Sequence, residues 1–144
     1  MSQRAFEVLL KMLALRKDRS VARSKRAQAE FLRAQEFSDQ LQTYSKEYQA
    51  QWVQTANQGD SVLMLQTAAS FGHQLAETAA RQQAQAQTLS DRSQQAVQQA
   101  LHDTQRESTL KDYLARQAQM AAQAREKRER KELDDIYNAR SRTP

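Results

Sequence analysis

Apolar and small residues recur along the chain at alternating spacings of four and three. The first half reads Phe6, Leu10, Leu13, then Ala27, Phe31, Ala34, Ser38, Leu41, Ser45, Tyr48 and Trp52. The second half reads Leu65, Ala68, Gly72, Leu75, Ala79, Gln82, Ala86, Leu89, Ser93, Ala96 and Ala100, and later Leu110, Leu114 and Ala121. A repeat of about 3.5 residues lays one narrow stripe along a helix, the seam of a coiled coil. The seam is weak, since Lys17, Ser20 and Ser24 fall in it on one side and Gln82 and Ser93 on the other.

A single break separates the two stripes, at Asn57-Gln58-Gly59-Asp60-Ser61. Gly59 can take the left-handed conformation that ends a helix, and Asp60 or Ser61 can cap the next one. The pattern predicts helices over 3–57 and 61–140 with a turn over 57–61. At about 1.5 Å per residue they would be about 80 Å and 120 Å long, so they must pair side by side. A turn of about five residues makes them antiparallel, with residue i roughly level with residue 118 − i. Tyr48 is then level with Ser70, Tyr44 with Gln74 and Leu41 with Glu77. The chain past Arg116 overhangs as a single helix or frays. The expected fold is all-α: one antiparallel coiled-coil hairpin domain over residues 1–144.

Composition narrows the alternatives. Two Gly and one terminal Pro leave too few turn residues for a sandwich, barrel or βαβ fold. The 23 Ala and 23 Gln suit helices, and Ala-rich apolar content cannot build a large globular core. Without Cys there is no disulfide framework, thiol nucleophile or Cys zinc site, as suits a reducing compartment. No apolar run reaches the length of about 18 residues that a transmembrane helix needs. The apolar cluster between Met1 and Lys17 carries Glu7 and Lys11, unlike a secretory leader. The expected compartment is the cytoplasm.

Candidate chemistry is sparse. His73 and His102 would stand about 43 Å apart on one helix, and neither has a metal-ligand partner at suitable spacing. Two isolated glycines make no phosphate loop, and Asp134-Asp135 lies in a charged stretch where no pocket could raise a pKa. The expectation is a non-enzyme with no cofactor and no metal.

Net charge becomes informative once it is divided. Of the overall +5, residues 1–30 carry +5, residues 31–115 carry −3 and residues 116–144 carry +3. The hairpin register gathers both positive segments at the end bearing the termini. The basic clusters are Arg16, Lys17, Arg19, Arg23, Lys25 and Arg26, then Arg125, Lys127, Arg128, Arg130 and Lys131. A solvated helix surface explains such runs as well as a binding site does. Nucleic acid is the poorer partner, because no aromatic groups interleave the bases and no recognition motif is present. An acidic protein surface fits better.

Aromatic residues concentrate toward the turn: Phe31, Phe37, Tyr44, Tyr48, Trp52 and Phe71. Phe37, Leu41, Tyr44 and Tyr48 share one spacing, and Phe71, Leu75, Thr78 and Gln82 repeat it. Phe37, Tyr44 and Phe71 fall one position off the seam. Two helices cannot bury two adjacent stripes each, so the pattern predicts an apolar surface patch, the usual mark of a binding site.

These features together resemble the flagellar export FliJ family. The resemblance rests on Leu41-x-x-Tyr44-x-x-x-Tyr48 before the turn and Phe71-x-x-x-Leu75 after it. It extends to the basic tail ending Lys131-Glu132-Leu133-Asp134-Asp135-Ile136-Tyr137-Asn138-Ala139-Arg140. It implies an antiparallel two-helix coiled coil like the stalk of the rotary ATPase γ subunit. It further implies a cytoplasmic component of the flagellar type III export apparatus, peripheral at the inner membrane. The end with both termini would enter the ring of the export ATPase FliI and promote its assembly. That end carries Leu10, Leu13, Arg16, Lys17, Arg19, Arg23, Arg125, Lys127, Arg128 and Lys131. The family's patch for the export gate protein FlhA maps onto Leu41, Tyr44, Tyr48, Phe71 and Leu75. Phe37, Thr78 and Gln82 occupy neighbouring positions where the chain departs from the family pattern. FliH and export chaperones are further implied partners. The equivalent stalk of an injectisome, and a basic nucleic-acid-binding coiled coil, are the alternatives.

Overall fold

The computed structural model describes residues 2–59 and 61–142 and consists of two helices, α1 (Gln3–Asn57) and α2 (Val62–Ser141). The described residues contain no strand. Ser2 caps α1, its Oγ accepting a hydrogen bond from the Ala5 amide at 3.3 Å. The turn works through backbone chemistry. Gly59 stands at φ +82°, which an L side chain rarely adopts, and its amide donates to the Ala56 carbonyl at 3.3 Å. Ser61 is the N-cap of α2, accepting from the Met64 amide at 3.3 Å. Asp60, the alternative cap, lies outside the described residues.

The helices pack against each other antiparallel, in two compact units. One unit comprises residues 18–101 and includes the turn. Its seam follows the expected stripe: Ser20, Ser24, Ser38 and Ser45 are buried on α1, and Ala79, Ala86, Ser93 and Ala100 on α2. The larger seam residues Phe31, Leu41, Tyr48, Trp52, Leu65, Leu75 and Leu89 are half-buried. Two aromatic side chains of α1 spend their polar ends on α2 carbonyls. Tyr48 Oη donates to Ala68 O at 3.3 Å and Trp52 Nε1 to Leu65 O at 3.2 Å. Both partners lie within a turn of the register expected from the hairpin centre. The surrounding serines are not all so well served: Ser24 Oγ donates to Val21 O at 2.8 Å, but Ser38 Oγ is fully buried and finds no partner among the described residues.

The other unit comprises residues 1–17 and 102–144. Phe6 meets Tyr113 with ring centroids 5.8 Å apart, one residue from the expected level. Leu10, Leu13, Leu110 and Leu114 are half-buried around this contact. The seam here contains two carboxylates, Asp103 and Glu107, both buried. Glu107 Oε1 lies 2.6 Å from Lys111 Nζ, one turn on. Its Oε2 lies 2.8 Å from Lys17 Nζ on α1, an ion pair across the seam. The ammonium groups of Lys111 and then Lys17 hold the Glu107 carboxyl below its ordinary value, against the opposing effect of burial. Lys17 thus belongs to the seam because it has a carboxylate to meet there. Ala121, expected in the seam, is exposed, as is every described residue from Ala115 onward. α1 offers this stretch nothing to pack on, yet it stays helical to Ser141. Ala, Gln and Glu/Lys-type residues dominate it, and they form helix without tertiary support better than most.

Two outcomes are expected. Ser38→Ala removes a desolvated hydroxyl and improves helix propensity, so it raises stability by about 0.5–1.5 kcal/mol in urea melts. An unchanged or lowered midpoint would show that Ser38 is satisfied in solution. Because the native Glu107 pKa is lowered, its pairing stabilises above the unfolded-state pKa and is lost as pH falls through the native one. Wild type therefore loses its advantage over Glu107→Gln as pH is taken from about 5 toward 3. Parallel stability curves for the two proteins over that range would contradict the assignment.

Candidate functional site

The predicted patch lies wholly in the unit that contains the turn. On α1 the spacing of Phe37, Leu41, Tyr44 and Tyr48 lays them along one flank of the seam, and Phe71, Leu75, Thr78 and Gln82 do the same on α2. The two stripes share residues with the seam. Leu41, Tyr48, Leu75 and Gln82 are half-buried, while Phe37, Tyr44 and Phe71 stand 49%, 51% and 46% exposed. Thr78 is exposed and its hydroxyl donates to Gln74 O within α2.

The link between the stripes is the pair Tyr48–Phe71, with ring centroids 5.0 Å apart at an interplanar angle of 71°. This edge-to-face arrangement suits the aromatic quadrupoles. Tyr48 is fixed by its hydrogen bond to Ala68 O and lies against the bare backbone of Gly72, where a Cβ would stand 3.4 Å from Tyr48 Cε1. That separation is an ordinary van der Waals contact, so Gly72 lies directly under the Tyr48 ring without the ring requiring a glycine there. The hydroxyl-anchored Tyr48 holds Phe71 in place at the surface, and the outward faces of Tyr44 and Phe37 stand free of that pair. Such an exposed apolar surface takes a protein partner more readily than a small polar ligand. Gln42 Nε2 donates to Gln83 Oε1 at 3.0 Å and ties the two helices beside it.

The basic residues named from the sequence divide between the units. Leu10, Leu13, Arg16, Lys17, Arg125, Lys127, Arg128 and Lys131 belong to the unit with residues 1–17 and 102–144. Arg19 and Arg23 belong to the other. Arg16, Arg125, Lys127, Arg128 and Lys131 are exposed, as are Arg19 and Arg23. Leu10 and Leu13 are half-buried against α2, and the Lys17 ammonium is engaged with Glu107. The exposed arginines and lysines are available to an external anion or carboxylate, whereas Lys17 serves the seam.

His73 and His102 are exposed, and His73 Nε2 lies 3.1 Å from Glu77 Oε1. Among the described residues no group of three or more His, Cys, Asp or Glu could hold a metal ion. Among them, too, no helix is long and apolar enough to cross a membrane. Periodicity alone could have found the buried carboxylates. Asp103 and Glu107 continue the alternation of three and four from Ala100 to Leu110, and their charge alone argued against them.

In comparisons with known proteins, no curated protein and no solved structure matches the chain. A family model does match, that of the flagellar FliJ protein, over residues 2–143. With nearly the whole chain matched, the chain belongs to the flagellar FliJ family.

Proposed function

We propose that this chain is a non-enzymatic stalk that binds the export ATPase FliI within its ring, promotes ring assembly and couples it to the export gate protein FlhA. Membership of the FliJ family supports the coarser part, a stalk protein of the flagellar export machinery. The observation that carries the gate contact is the exposure of Phe37, Tyr44 and Phe71 beside a Tyr48 locked to α2. Half-exposed aromatics on a rigid support are the kind of group that anchors a protein interface. The ATPase contact rests on the exposed bases Arg16, Arg19, Arg23, Arg125, Lys127, Arg128 and Lys131, together with Leu10 and Leu13. In this reading the protein works in the cytoplasm, held at the inner membrane through its partners, with FliH and export chaperones as further contacts. Two chemically different surfaces on one pair of helices allow two partners to be engaged at once.

The test uses two sets of variants. Arg16→Glu, Arg125→Glu and Lys127→Glu together should weaken co-elution with the ATPase by about tenfold or more and abolish the rise in its hexamer fraction and turnover. Lys17 is left intact in this set because its loss would leave the buried Glu107 with Lys111 alone. Tyr44→Ala with Phe71→Ala should weaken gate binding by about tenfold or more and leave the ATPase effect in place. Loss of the same partner from both sets sinks the two-surface reading.

A further inference from the structure

The N-terminal stretch of α1 is apolar on two sides, and α2 covers only one. Val8-Leu9-Leu10-Lys11-Met12-Leu13-Ala14-Leu15 holds a single charge in eight positions. Successive residues advance about 100° around an α-helix, so the set Val8, Met12 and Leu15 is centred about 160° from the set Phe6, Leu10, Leu13 and Lys17. The latter set meets α2 through the Phe6–Tyr113 and Lys17–Glu107 contacts. The former points away from it, with Val8 53%, Met12 56% and Leu15 51% exposed. A helix that is apolar on opposite faces is normally covered on both.

The spacing identifies what would cover the second face. Ala5, Val8, Met12 and Leu15 alternate by three and four, which makes a second a/d seam on the same helix. So narrow a stripe is shaped for another helix and is too narrow for a bilayer-facing surface. The residues flanking this seam, at its e and g positions, are Arg4, Leu9, Lys11 and Arg16. Arg4, Lys11 and Arg16 are exposed, and the flanks of this stretch carry no carboxylate. A second copy of the chain is a poor occupant. Parallel pairing sets Lys11 against Arg16, and antiparallel pairing over the whole seam sets Lys11 against Lys11, like charge against like in both.

We propose that the outward face of α1 around Val8, Met12 and Leu15 is a second coiled-coil seam that docks a helix of a partner protein bearing apolar a/d residues and carboxylates at its flanks. The proposal goes beyond the stalk reading and does not require it. Its charge test uses Arg4 and Lys11, which leaves Arg16, Arg125 and Lys127 in place, so failure of this seam and failure of the ATPase contact are read separately.

The probe is a synthetic helical peptide about 21 residues long, with Leu at a and d and Glu at e and g, followed by fluorescence anisotropy on the full chain. The control peptide carries Lys in place of Glu. The acidic peptide is expected to bind about tenfold tighter or more at low salt, and the difference should shrink as salt is added. Val8→Ala, Met12→Ala and Leu15→Ala together should weaken acidic-peptide binding by about tenfold. Arg4→Glu with Lys11→Glu should reverse the preference toward the lysine peptide. This pair changes only exposed flanking positions, so it carries the test if the alanine variant loses helix. Equal binding of the two peptides, or an acidic preference that survives the charge reversal, overturns the proposal. So does self-association that the alanine variant abolishes, which would make a second copy the occupant. Binding to phosphatidylglycerol vesicles with none to either peptide would also overturn it, in favour of a lipid surface.

Discussion

The two helices hold each other along a line of small side chains one residue wide. In the unit that contains the turn, the buried positions among the described residues are four serines of α1 and three alanines and a serine of α2. Such residues remove little apolar area from water, so each contributes only a fraction of what a buried leucine does. Every larger group must then do two things, covering the seam with one edge and meeting solvent with the other. Tyr48, Trp52, Leu41 and Leu75 are half-buried for that reason. An exposed aromatic patch is a direct result, because a seam this thin has no second layer in which to hide Phe37, Tyr44 or Phe71.

Polar groups supply specificity where apolar area is scarce. In the unit with residues 1–17 and 102–144, Glu107 is gripped by Lys111 from its own helix and Lys17 from the other. A buried ion pair is a modest source of net stability, but a misregistered seam would part Lys17 from Glu107 and leave the buried carboxylate with Lys111 alone, which is costly. Tyr48 and Trp52 act comparably in the other unit, since each side-chain donor has one α2 carbonyl to find. These contacts fix which residue faces which, a matter that a stripe of interchangeable Ala and Ser leaves open.

Much of this was legible in the sequence. The break at Gly59, the all-helical chain and the seam positions on α1 follow from spacing and from the scarcity of Gly and Pro, because both signals are local. The aromatic patch was legible too, since Phe37, Tyr44 and Phe71 sit one step off the repeat. What was missed was missed for physical reasons. Lys17 read as a flaw in the seam because its partner lies 90 positions away in sequence. Asp103 and Glu107 were skipped because an unpaired carboxylate does not belong inside, and pairing is invisible to a linear pattern. Ala121 fits the repeat but has no α1 residue opposite it. The placing of Gly72 under the Tyr48 ring likewise depends on a contact across the hairpin.

The left-handed turn at Gly59 also bears on how the hairpin can close. The hydrogen bond from Trp52 to Leu65 joins residues 13 apart in sequence, whereas the Phe6–Tyr113 contact spans most of the chain. Closing the long loop directly costs about 2 kcal/mol more chain entropy than closing the short one, at about 0.6 kcal/mol per doubling. Each pairing made near the turn shortens the loop that the next must close. Zipping outward from Gly59 spreads that cost over many small steps, so two helices with so little core can still find each other quickly.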